Sequence, residues 1–108
     1  MKRIAFIAQT KADLSGFPRA VKTGFGYALF LAQNGGKHPK AVAMKGFAGA
    51  SVLEVRFDHA GDTYRLVYTT KGGAAISVLH AFMKKSTRGL KTPKTIIDTI
   101  KARLKMVR

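Results

Sequence analysis

The sequence predicts an α+β domain, with a mainly antiparallel sheet and helices packed on one of its faces. Three observations carry this. Apolar residues fall at helical spacing after Pro18 and again after Pro93. Between them, residues 51–82 hold three strand-like segments separated by glycine turns. A length of 108 residues fits a single domain, 1–108, around one core.

The expected order is β-α-α-β-β-β-α. "RIAFIA" reads as the first strand, and "KADLSGFP" gives a short helical turn stopped by Gly16 and Pro18. Pro18 suits the first position of a second helix, where a missing N–H costs nothing. There Val21, Phe25, Ala28, Leu29 and Ala32 recur at helical spacing. Gly24 and Gly26 weaken that helix by roughly 1 kcal/mol each relative to alanine, so it must lean on tertiary packing. Asn34-Gly35-Gly36 is a helix stop, and residues 37–50 read as an irregular connection.

The three strands follow. "SVLEVRFD" sets Leu53, Val55 and Phe57 on one face, with Glu54 and Arg56 on the other. After the "HAGD" turn, "DTYRLVYTT" sets Tyr64, Leu66 and Tyr68 against Arg65, Val67 and Thr69. Lys71-Gly72-Gly73 turns the chain into "AAISVLHAF", which reads as a strand with His80 packed beside Val78 and Phe82. Thr92 can cap a last helix that Pro93 begins. Its apolar stripe is Ile96, Ile97, Ile100, Leu104 and Val107, with Lys94, Lys101, Arg103, Lys105 and Arg108 around it.

Charge is the informative bulk property. Twenty Lys plus Arg against five Asp plus Glu give a formal net charge of +15. In so small a domain this predicts a polyanionic partner, nucleic acid above all. The excess is steepest late: from Lys84 onward only Asp98 is acidic. The absence of cysteine excludes disulfides and a zinc ribbon and suits a cytoplasmic location. No apolar run approaches the roughly 18 residues of a membrane span. The start lacks the long apolar region of a signal peptide and reads as mature sequence. His38, His59 and His80 have no ligand spacing, so neither a metal nor another cofactor is expected.

The strand alternation gathers the cations. If the apolar sets face the helices, Arg56 and Arg65 point to the opposite face, joined across one hairpin, with Glu54 beside them. Lys84 and Lys85 arrive from the end of the neighbouring strand, and Lys45, Arg88 and Lys91 are further candidates for phosphate contacts. Such a cluster can stabilise the charge that builds on phosphorus when a ribose 2′-OH attacks its own phosphodiester. Glu54 and His80 are the general acid–base candidates by residue type. The same cluster also fits plain phosphate-backbone binding, and these residues alone do not separate the two.

"DTYRLVYTT" followed by "AISVLHAFMKKS" and a basic final helix resembles the RelE/ParE superfamily of bacterial toxins. "GYALFLAQNGGK", "MKGF", "VLEVRFD" and "VLHAFMKKS" with the later "TP" resemble its phage-derived Gp49/HigB-like branch. The resemblance implies a RelE-like fold and the toxin of a type II toxin–antitoxin pair. Such a toxin cuts mRNA in the ribosomal A site without a metal, and a HigA-like helix-turn-helix antitoxin neutralises it. It implies catalytic roles for Arg65, Lys84 and Lys85 and a phosphate contact for Arg56. The tyrosine that RelE-type nucleases carry after the basic pair has no counterpart in "STRGLKTPK", and the resemblance assigns neither acid nor base to His80. Two other readings stand beside this one: a ParE-like poison of DNA gyrase, and a phage nucleic-acid-binding protein without catalysis.

Overall fold

A computed structural model describes residues 1–47, 51–85 and 93–107. The elements are β1 (Arg3–Phe6), α1 (Thr10–Ser15), α2 (Arg19–Gln33), β2 (Val42–Ala43), β3 (Val52–His59), β4 (Asp62–Thr69), β5 (Ala75–Lys85) and α3 (Lys94–Leu104). They build one five-stranded sheet in the order β1-β5-β4-β3-β2. β1 pairs parallel with β5, and every other pairing is antiparallel, so the sheet is mixed. The α+β class and the expected order of the long elements both hold. The connection read as irregular contains a two-residue strand, β2, whose Val42 and Ala43 pair with Glu54 and Leu53. Pro18 and Pro93 stand immediately before their helices, one position earlier than expected. The Thr92 cap lies outside the described residues.

α2 ends because its last turn is closed by glycine. Gly35, at φ 86°, donates its N–H to the Ala32 carbonyl, and Gly36 donates to that of Leu31. This paired closure needs a left-handed residue at the first position after the cap, which glycine adopts without strain.

Two apolar layers flank the sheet. Val21, Phe25, Ala28, Leu29 and Ala32 of α2 pack on Val55, Leu66, Tyr68, Ile76 and Val78. On the opposite face Val52, Val67 and Leu79 meet Ile100 of α3, with Ile96, Ile97, Leu104 and Val107 around it. The helices therefore do not share one face, as the sequence led us to expect; α3 crosses to the other side. The reason lies in β4 and β5, which are apolar at both parities around Val67 and Leu79 and so need a cover on each face.

β5 also carries an irregularity. Val67 pairs with His80 and Tyr68 with Val78, which leaves Leu79 as an extra residue. A bulge of this kind shifts the alternation by one position. Val78 accordingly belongs to the α2 layer while Leu79 belongs to the α3 layer, and His80 sits opposite Val67 on that same side. His80 is thus separated from Val78 and grouped with Phe82.

Candidate nucleic-acid interface

Arg56 and Arg65 are direct cross-strand partners in the β3–β4 ladder. Like charges placed opposite each other repel, and an acid between them relieves this. Glu54 is that acid: its Oε2 lies 3.4 Å from Arg65 Nη1 and its Oε1 3.9 Å from Arg56 Nε. The side chains differ sharply in exposure, at 2% for Arg65, 14% for Glu54 and 41% for Arg56. The face is therefore a partly covered surface with one arginine at the rim and one beneath it.

α3 supplies a cation that the sequence reading left unassigned. Arg103 Nη1 donates to the Leu79 carbonyl at 3.0 Å and stands 3.1 Å from His80 Nδ1. A guanidinium only donates, so Nδ1 is the acceptor and the neutral ring carries its proton on Nε2. The ring stacks on Phe82, with centroids 4.7 Å apart and planes 27° from parallel. Burial lowers the His80 pKa from its ordinary 6.5, the Arg103 charge lowers it further, and Asp13 partly opposes them. The result is a neutral imidazole offering Nε2–H as a donor, with its lone pair already engaged. One sequence signal pointed to Arg103. It falls three residues after Ile100 and so lies along the buried stripe, but the stripe was assigned to the wrong side of the sheet.

The remaining predicted residues divide by position. Lys84 pairs with Thr63, two residues from Arg65 along β4, and is partly buried. Lys85 closes β5 opposite Asp62. Lys45 is exposed at the far end of β3 and lines a separate cavity, so it does not join Arg56 and Arg65. Arg88 and Lys91 lie outside the described residues. Among the described residues, no three His, Asp or Glu side chains are grouped so as to hold a metal ion. No described helix is long and apolar enough to cross a membrane.

That cavity, of about 720 Å³, sits between the end of α2 and the β2 edge of the sheet. Lys37 and Lys45 line it together with Met44, Phe47, Leu53 and Tyr68. Tyr68 is 1% exposed, and its hydroxyl has no hydrogen-bond partner among the described residues. The sequence reading missed this feature because Gly35, Lys45 and Tyr68 belong to segments distant in sequence.

Comparisons with curated proteins and with solved structures returned no match. A family model does match: that of the phage-derived Gp49-like proteins (DUF891), over residues 12–105. The matched span runs from α1 to the end of α3 and includes Arg56, Arg65, Lys84 and Arg103. The chain belongs to the phage-derived Gp49-like family.

Proposed function

We propose that this protein is the toxin of a type II toxin–antitoxin pair and acts in the cytoplasm as a ribosome-dependent mRNA endoribonuclease. One observation carries the reading: Arg56 and Arg65 stand in register, held by one carboxylate, on a face that also takes Lys84. Attack by a ribose 2′-OH makes a 2′,3′-cyclic phosphate and breaks the bond to the 5′-oxygen. Negative charge grows on the phosphoryl oxygens as it proceeds. Arg56, at the rim, contacts the phosphate; Arg65, fixed beneath, adds a positive field that needs no reorganisation during the reaction. Lys84 extends that field at the strand end. Glu54 is the carboxylate within reach of both arginines and takes the 2′-OH proton. His80, with Nδ1 engaged by Arg103, serves as an Nε2–H donor to the developing charge or the leaving oxygen rather than as the base. The ribosome orients the mRNA, and a helix-turn-helix antitoxin covers the basic surface.

The burial of Arg65 favours a second reading, in which the face binds nucleic acid without cutting it. In that case Arg56 and Lys84 contact phosphates and the Arg65–Glu54 pair only shapes the surface. Inducing the chain in cells and mapping mRNA 5′ ends, with and without stalled ribosomes, separates the two. The nuclease reading expects new 5′ ends in translated messages, lost in Arg56→Ala at an unchanged melting temperature. Growth arrest with intact messages, or full cleavage by that variant, would refute it.

A further inference from the structure

We infer that the cavity at the β2 edge is a base-binding subsite, taking one unstacked nucleobase of an RNA strand with that nucleotide's phosphate on Lys37 and Lys45. The inference rests on the RNA reading for its choice of ligand, but its geometry is independent of the arginine cluster. The cavity volume of about 720 Å³ falls within the range of roughly 300–1,000 Å³ usual for small-molecule sites. Met44 and Leu53 give it a partly exposed apolar lining, and the buried Phe47 and Val52 border it from the core on the α3 side. None of the described lining residues is acidic, while Lys37 and Lys45 are both cationic, which selects an anionic ligand.

Tyr68 adds the directional element. Tyr68 lines the cavity, and its buried hydroxyl lacks a partner among the described residues. Buried hydroxyls in folded proteins ordinarily have partners, so this one is available to a group that enters beside it. Burial raises the Tyr68 pKa above its ordinary 10, which keeps the hydroxyl protonated and able both to donate and to accept. The hydroxyl is sealed from solvent, so a nucleobase edge, which carries donors and acceptors, meets it only where the cavity wall gives way. The Ser51 and Thr70 residues close the rim, tied by the Thr70 N–H to the Ser51 carbonyl at 3.3 Å.

Leu53, which lines the cavity, faces α2, whereas Arg56, three residues further along β3 and about 10 Å away at roughly 3.4 Å per residue, faces the other side of the sheet. A strand that joins the two must pass over the sheet edge at β2.

The test is a fluorescence titration of the full chain with 2-aminopurine riboside 5′-monophosphate, without ribosomes. Saturable quenching is expected. Tyr68→Phe, which keeps the ring, should weaken it about three- to tenfold, and the Lys37→Ala/Lys45→Ala double variant about tenfold or more. Both variants should keep the wild-type thermal midpoint to within a few degrees. Absence of saturable binding overturns the proposal, as does equal binding by wild type and both variants. Displacement of the probe by acidic peptides but not by oligoribonucleotides would assign the cavity to a protein partner and also overturn it. Nucleotide binding without mRNA cleavage in cells would sink the nuclease reading and leave the subsite standing. Cleavage of unchanged position and rate in a double lysine variant that binds the nucleotide as the wild type does would do the reverse.

Discussion

On the side of the sheet that α2 covers, Val55, Leu66, Ile76 and Val78 meet Phe25 and Leu29, and the buried cluster holds no charged side chain. On the side that α3 covers, Val67, Leu79 and Ile100 share the surface with Glu54, Arg65, His80 and Arg103. The same strands serve both layers. Among the described residues the buried charged side chain is Arg65, and it belongs to the second layer. The first face is closed by hydrophobic packing over a helix of 15 residues; the second is closed by a helix of 11 that must also hold charges. A charged layer costs desolvation that an apolar layer does not.

The sharpest way to break this contrast is to remove Arg65. Arg65→Ala leaves Glu54 partly buried with the more exposed Arg56, 3.9 Å away, and breaking such a buried pair costs about 3–5 kcal/mol. The neighbouring substitution on the other face, Leu66→Ala, costs about 2–5 kcal/mol through its cavity alone. The two differ in rescue. Arg65→Met with Glu54→Leu should recover most of the stability in urea melts, since an apolar pair of similar volume tolerates burial. The rescued protein should still fail to cleave mRNA. Cleavage by that double variant would show that the charges serve only the fold.

A smaller effect lies in how α3 sets the state of His80. Its folded pKa lies below the ordinary 6.5, so between the two values the unfolded chain binds the extra proton. Stability from the neutral ring is complete above about pH 6.5 and is lost as pH falls toward the folded value. Arg103→Met keeps much of the packing and removes the second cause of the shift. The His80 resonances in an NMR titration should then move part of the way back toward 6.5, since burial, the larger cause, remains. The acid-side loss of stability should shrink with it. An unchanged titration would mean that Arg103 holds only the Leu79 carbonyl. His80→Gln should abolish this segment of the pH dependence.

How far this was legible differs by element. The α2-facing set of Leu53, Val55, Phe57, Tyr64, Leu66 and Tyr68 was readable from plain alternation, because polar residues alternate with it in β3. So was the pairing of Arg56 with Arg65, which a two-residue-period pattern and a short hairpin fix. The placement of His80 was not. In "AISVLHAF" residues of either parity are apolar, so nothing marks where the bulge at Leu79 changes the phase. The side taken by α3 was hidden for a related reason. An amphipathic stripe states that a helix has a face to bury, and two apolar sheet faces leave two places to bury it. The depth of Arg65 followed from that unseen cover.

The two glycines of α2 give the finest test of the apolar layer. Both cost helix propensity, and only one has a packing reason visible in the fold. A Cβ at Gly24 would meet the Phe57 ring at 2.9 Å, whereas a Cβ at Gly26 would meet nothing within 4 Å. Phe57 cannot easily give way, because it packs on Phe25 at 5.1 Å and on His38 at 5.5 Å, with the Lys40 ammonium 5.0 Å from its ring centre. Gly26→Ala should therefore raise stability by about 1 kcal/mol, the propensity gain alone. Gly24→Ala gains the same amount but meets an overpacking cost of about 1–3 kcal/mol, so it should lower stability or leave it unchanged. Urea midpoints at constant slope measure both. Equal gains at the two positions would mean that α2 lies further from β3 than the close approach at Gly24 requires. A gain at Gly26 alone would fix the α2 layer as the tightly packed one, with no room for added carbon where the helix crosses Phe57.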